Sequence, residues 1–436
     1  MSNQIIVQPA ILPANQLLQQ HLNSSVFLTN NVWKIAFSPC SQYLAIPKQD
    51  IYGGNCVLVV RCSDWNTKDL NNTDLCVYQR FNCTSAIWSL AFGQRRFDWN
   101  SSCQPTLLNQ NFLTTPKTRR ELLNRRRSSA SFVNRRYDFT NNLFLAAGLA
   151  DGKINIWNIN SGELTLILKD HGSTVCGLDF TSCTMQLATC SHDTTIKLWD
   201  LLDDGNMYKT LSEWTHVINA VKWSPDETLL CAVGPYGLVV LYDTTSWEQL
   251  YKFEGHLHSV GDCAFSSDSA LLATASYDTQ VILWSTITGE IIKIFAHKIP
   301  MPLKIYAGGD NGAFVRSIAI TKYNHILITA CDDNKIRWFP LTSNRSSQMI
   351  YERTEANILC VAITTNGETM AVSNRNGEVH LLSTLSTAGI CQPILLKSFC
   401  RLLINHSCGA HRKEILNLPL SQHLIKYLVY QDIKIR

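Results

Sequence analysis

Two short stretches set a serine and an aspartate close together below an upstream histidine. "SHD" at 191–193 follows His171, and "SYD" at 276–278 follows His256. A hydrolase would use such groups as nucleophile, base and orienting carboxylate. The spacing argues for a different task. His171 to Asp193 is 22 residues and His256 to Asp278 is 22 again; His171 to Trp199 and His256 to Trp284 are both 28. A nucleophilic site is built once, whereas a set recurring at identical offsets belongs to a repeated structural unit.

Other candidate chemistry is weaker still. Cys400, His406, Cys408 and His411 could ligate zinc, but their spacing is not that of a standard finger and Cys400 falls on an apolar stripe. "AGGDNG" reads as a turn, because nothing resembles the G-x-x-x-x-G-K of a phosphate loop. No catalytic residue, metal ligand or cofactor is therefore assigned. Two apolar stripes near the C-terminus suit recognition better. Leu396, Phe399, Cys400, Leu403 and Ile404 follow the i, i+3, i+4, i+7, i+8 pattern of one helix face, and Leu420, Leu424, Tyr427 and Leu428 repeat it with Pro419 placed to start the helix. Two or three short helices cannot bury that surface alone, so it either docks on the body of the protein or waits for a partner.

The body has to position these groups. A chain of 436 residues with 45% hydrophobic and 17% charged content is a folded protein of several units or one large repeat array. No apolar stretch is long enough to span a membrane, and the N-terminus lacks the features of a signal peptide. The sixteen cysteines are scattered, without a C-x-x-C pair, in apolar contexts such as "LATCSHD". That is reduced core cysteine, placing the chain inside the cell, in the cytoplasm with the nucleus left open.

A repeat of about 42 residues organises the chain. One aromatic or apolar position recurs as Trp157, Trp199, Tyr242, Trp284, Phe339 and Leu382, at spacings of 42, 43, 42, 55 and 43. The long interval holds an extra loop, "HKIPMPLKIYAGGDN". With "VWKIAFSPCSQYLAI" and "IWSLAFG…LFLAAGLADGKINIW" as earlier units, there are seven. Short strands punctuated by turn residues at this period predict a mainly β fold, a seven-bladed propeller. Ring closure calls for an early strand in the last blade, with "SSVFLT" or "NQLLQQHL" as candidates.

"IKLWD", "EGH", "FSSD" and "SYDTQVILW" make residues 26–385 resemble the WD-repeat family. The resemblance implies that His171, Ser191, Asp193 and Trp199, and equally His256, Ser276, Asp278 and Trp284, are structural tetrads. Blades four and seven depart, with Trp214 in the His slot, and Tyr236 and Asn376 in Asp slots, and should rely on apolar packing. It also implies that the residue before each turn aspartate projects from the top face. His192, Tyr277, Asp332 and Arg375 fill that slot, with Trp214 and Tyr236 near the same rim, and are the expected target-binding ring.

Residues 93–142 interrupt blade two. They carry ten Lys or Arg against three acids, a local +7, whereas the whole chain sums to +4. A solvated, disordered loop is the expectation. Arginines three positions before Ser128 and Ser129 make these candidate phosphosites. Nucleic-acid binding is disfavoured because no aromatic stacking platform accompanies the charge.

After the propeller, Leu396-x-x-x-Cys400-x-x-x-Ile404 followed by Leu418-Pro419-Leu420 resembles a SOCS box over 390–436. Residues 1–25 form a lead that could supply the closing strand. Leu395 and Ser421 depart from the usual box pattern, the second bearing on cullin choice. A seven-bladed propeller ending in this box is similar to the WD repeat and SOCS box-containing proteins. That implies a non-enzymatic substrate receptor of a cullin–RING ubiquitin ligase. Leu396, Phe399, Cys400, Leu403 and Ile404 would bind elongin C with elongin B. Leu418, Pro419 and Leu420 would select a cullin, cullin-5 with its RING partner, for protein targets the sequence does not identify. A passive WD-repeat scaffold and a propeller enzyme are the competing classes.

Overall fold

A computed structural model describes residues 25–27, 34–49, 53–63, 77–94, 142–297, 314–321, 326–341, 349–352, 357–383, 401, 404–405, 415–417 and 420–431. Their strands form seven four-stranded antiparallel sheets. The innermost strands touch one another in sequence and return to the start, which closes a ring of blades.

The repeat period sets the register. Phe180 pairs with Leu187 and Leu187 with Trp199 in blade three; Phe265, Leu272 and Trp284 repeat that row in blade five. Tyr242, Phe339 and Leu382 sit opposite Leu230, Leu327 and Met370 in the same way. An apolar side chain at a fixed period therefore lands at a fixed depth between neighbouring blades. Six blades take their four strands consecutively. Blade seven is the exception, since its outer strand is Ser25–Phe27, from the "SSVFLT" stretch. Val26 pairs with Val379 and Phe27 with Glu378, joining the two ends of the ring.

In blade two Gln94 pairs directly with Leu143, so the basic insertion leaves and re-enters between the first and second strands. Gly93 and Gln94, counted within it, are strand residues. The rest of it up to residue 141, with Ser128 and Ser129, lies outside the described residues.

The tetrads form, with one correction. In blade three His171 Nδ1 lies 2.7 Å from Asp193 Oδ2, His171 Nε2 lies 2.8 Å from Thr189 Oγ1, and Trp199 Nε1 donates to Thr189 Oγ1 at 3.0 Å. Blade five repeats this through Asp278 at 2.9 Å, Thr274 at 2.7 Å and Trp284 at 2.8 Å. The hydroxyl joining His to Trp is thus Thr189 or Thr274, not Ser191 or Ser276. Register explains this: Trp199 pairs with Leu187, which puts Thr189, two residues on along the same face, diagonal to the indole, whereas Ser191 ends its strand. Ser191 Oγ donates to the Ser173 carbonyl at 3.0 Å and accepts from Asp193 N at 3.0 Å, bracing the turn. Burial lowers the pKa of His171 against the opposing pull of Asp193.

Other blades modify the pattern. Trp214 donates from Nε1 to Tyr242 Oη at 2.8 Å, so blade four replaces the His–Thr–Trp chain by one direct bond beside its apolar packing. Blade six has a histidine that the spacing hid: His297 Nε2 lies 2.8 Å from Thr329 Oγ1. Its aspartate, Asp333, is taken by Arg337. Burial, and the nearby Arg337 charge, push His297 down to about 3. In blade two the turn after Asp151 requires Gly152 (φ +82°), where a Cβ would stand 2.3 Å from the His171 carbonyl oxygen.

Charged side chains fill the central channel. Lys34 reaches from blade one to Asp262 of blade five at 3.1 Å, and Asp262 also accepts from Ser317 Oγ at 2.9 Å. Lys222 pairs with Asp179 at 2.9 Å. Burial would lower both lysines, but the carboxylates outweigh it and raise them, Lys34 through Asp262 and Lys222 through Asp179 and Asp262.

Candidate protein-interaction sites

The top face carries the turns that hold Asp193 and Asp278. Tyr236 stands on it with 78% of its surface exposed, its ring 4.9 Å from that of His216. Arg375 is exposed on blade seven, and His192 is half-buried with its ring 6.2 Å from Trp88. Tyr277 is half-buried against Phe314, with ring centroids 4.6 Å apart.

Two expected rim residues are not free surface. Trp214 is only 6% exposed, because its indole lies in the core between blades three and four. Asp332 is buried and paired with Arg316 Nε at 2.5 Å. The same guanidinium lies 5.3 Å from the Tyr277 ring centroid and 5.6 Å from that of Phe314. A cation over two aromatic faces and against a carboxylate is a preorganised group, not a mobile one.

The structure adds Trp88 and Arg316 to this surface. Each is the residue skipped where the innermost strand shifts register, between Ile87 and Ser89 in blade two and between Val315 and Ser317 in blade six. A bulge of this kind re-aims the extra side chain. Leu257 is exposed beside half-buried His258 in the approach to blade five. The sequence signal for Trp88 and Arg316 was their place one residue into each repeat's first strand, visible only once the bulge is known.

The second surface is the C-terminal arm on the opposite face. Helix α1 (Gln422–Leu428) is capped by Ser421, whose Oγ accepts from Leu424 N at 3.4 Å. Ser421 rather than Pro419 therefore starts it. One side of the arm joins the core of blade five: Ile415, Tyr427, Leu428, Val429 and Tyr430 pack with Ala270, Leu271, Ile287 and Ile292. Arg401 is helical and buried, its guanidinium 3.6 Å from the Tyr427 ring centroid and 4.2 Å from that of Tyr430. The expected stripe over 420–428 is thus divided, since Leu420 and Leu424 are exposed, as are Ile404 and Leu416. Leu396, Phe399, Cys400, Leu403, Leu418 and Pro419 lie outside the described residues, as do the four zinc-reading positions. Among the described residues no cluster of His, Cys, Asp and Glu could hold a metal.

Most thiols among the described residues are placed for packing, while Cys40 is exposed. Burial pushes Cys62, Cys83 and Cys176 up to about 12, the direction opposite to nucleophile activation. Among the described residues no helix is long and apolar enough to cross a membrane.

Seven blades, two of them carrying histidine–aspartate–tryptophan networks, and a short helical arm define a WD-repeat propeller with a C-terminal appendage. The WD domain, G-beta repeat family matches residues 162–200 and 247–285, which hold both tetrads' aspartates and tryptophans. The chain is 30% identical to WD repeat and SOCS box-containing protein 1 of Xenopus tropicalis over 421 residues, covering 92% of this chain and 91% of that protein. It is 30% identical to the Homo sapiens protein of that name over 423 residues, with the same coverage. The WD repeat-containing protein WDS homolog of Arabidopsis thaliana is 28% identical over 225 residues, 50% of this chain and 40% of that one. The chain belongs to the WD repeat and SOCS box-containing family.

Proposed function

We propose that this protein is the substrate-recognition subunit of an elongin B/C–cullin–RING ubiquitin ligase, and performs no chemistry itself. The propeller, 26–385, holds a target protein, and the box, 390–436, recruits elongin C with elongin B and a cullin. Transfer then depends on holding target and conjugating enzyme together. The observation that carries the reading is the divided arm. One side is buried on blade five while Ile404, Leu416, Leu420 and Leu424 stay exposed. Apolar surface on a short helical arm is a helix-in-groove binding element. Co-purification of the intact chain with elongins B and C tests this; failure to retain them would leave a WD-repeat scaffold without a ligase role.

Within that reading, Leu418, Pro419 and Leu420 choose the cullin, expected to be cullin-5. Replacing all three by alanine should spare elongin capture and abolish cullin recovery. Cullin retained at wild-type level would reassign the segment to packing.

The top-face ring is the proposed target site, through His192, Tyr236, Tyr277 and Arg375. Large side chains with polar ends carry most interface energy. Tyr277→Ala with Arg375→Ala should cut recovery of captured targets at least several-fold with elongin binding unchanged. Undiminished recovery would shift the site to the blade-two insertion or the loop before blade six.

A further inference from the structure

The lower face carries the same serine–aspartate turn twice. In blade four, Asp226 Oδ1 accepts from Ser224 Oγ at 2.6 Å and from Thr228 N at 3.3 Å, and Oδ2 accepts from Thr228 Oγ1 at 2.9 Å. In blade five, Asp268 Oδ1 makes the matching bonds, to Ser266 Oγ at 2.6 Å and Ala270 N at 3.2 Å. Residue 270 is alanine, so this turn offers no hydroxyl equivalent to that of Thr228. Asp268 Oδ2 instead accepts from Tyr430 Oη at 2.6 Å and Asn405 Nδ2 at 3.0 Å, both from the arm. Asn405 also donates to the Leu428 carbonyl at 3.1 Å, tying the two parts of the arm together.

Asp268 is 2% exposed. A buried carboxylate needs donors on both oxygens. Blade four supplies them within its own turn and blade five does not. The arm completes the blade-five turn, and this explains why it sits there.

We propose that Asp268 is the locking site for the C-terminal arm, fixing arm and propeller as one rigid body. The lock sets the reach and orientation of the exposed arm residues relative to the top face. That consequence rests on the ligase-receptor reading, whereas the lock itself does not.

Hydrogen–deuterium exchange on the full chain tests it, with elongin B/C capture measured on the same proteins. In Asp268→Ala the amides of Ile425–Tyr430 should exchange at least tenfold faster than in wild type. Tyr430→Phe removes one arm contact and leaves the turn's own bonds intact, so it should accelerate them several-fold even if Asp268→Ala fails to fold. Asp226→Ala loses the equivalent turn bonds in blade four, whereas the described arm residues dock on blade five, and should leave the arm protected. Unchanged arm exchange in both Asp268→Ala and Tyr430→Phe would overturn the lock, as would equal loosening by Asp226→Ala. Wild type that captures no elongin would defeat the receptor reading while the exchange result still decides the lock.

Discussion

Asp278→Ala is expected to destabilise the propeller by about 1–3 kcal/mol, because it strands several buried donors at once. Asp278 Oδ2 receives His256 Nδ1 and Leu257 N, both at 2.9 Å, and Oδ1 receives Gln280 N at 3.0 Å. The loss should exceed that of Asp193→Ala, since the Asp278 side chain is 2% exposed against 16% for Asp193. Burial alone would raise the Asp278 carboxyl, but the His256 hydrogen bond and charge and the two amides overturn it, and its pKa lies below the usual carboxylate range. A depressed carboxyl adds stability above its unfolded pKa, near 4, and loses it as pH falls through the folded value. The gap between wild type and Asp278→Ala should therefore be full in thermal melts at pH 7 and narrow below pH 4. Unchanged stability with loss of a hydrolytic activity would return these residues to the catalytic reading.

The propeller was legible because one period governs it. A residue recurring every 42 or 43 positions in a strand context has to occupy one row of each blade, as the Leu187–Trp199 and Leu272–Trp284 pairings show. What the repeat did not reveal depends on contacts across strands. Thr189 and Thr274 join histidine to tryptophan from a position diagonal to the indole, two residues along from Leu187 and Leu272, whereas the sequence pattern points to the serines nearer the turn. The 22-residue spacing does not mark His297, because the extra loop lengthens its distance to Asp333, and Arg337 has taken that aspartate. The histidine slot that Trp214 fills predicts a position near the rim. An indole there turns inward, since Tyr242 offers it an acceptor. The arm was legible as an apolar stripe but not as a divided one. Which residues dock depends on Asp268, more than 130 positions away from Asn405.

Charged replacements at Leu396 and Cys400 together are expected to abolish elongin capture without unfolding the propeller or releasing the arm. Arg401 and Asn405, four residues apart, are both buried against the docked side, through Tyr427 and Asp268. Ile404, one residue before Asn405, is exposed. The sequence stripe Leu396-x-x-x-Cys400-x-x-x-Ile404 ends on this exposed residue. Cys400 and Leu396 are the next positions on that stripe, and a leucine knob with a small thiol suits a groove on the partner. Removing a leucine from such a pocket costs about 2–5 kcal/mol by analogy with buried core deletions. That corresponds to a Kd weakened about 30-fold to a few thousand-fold, and the introduced charges add to it. Titration of elongin B/C against the wild-type and double-variant chains measures the loss, and the melting midpoint and arm exchange of the variant should match wild type. Wild-type affinity in the double variant would remove the basis for the ligase-receptor reading, because no other stripe in the arm has this composition.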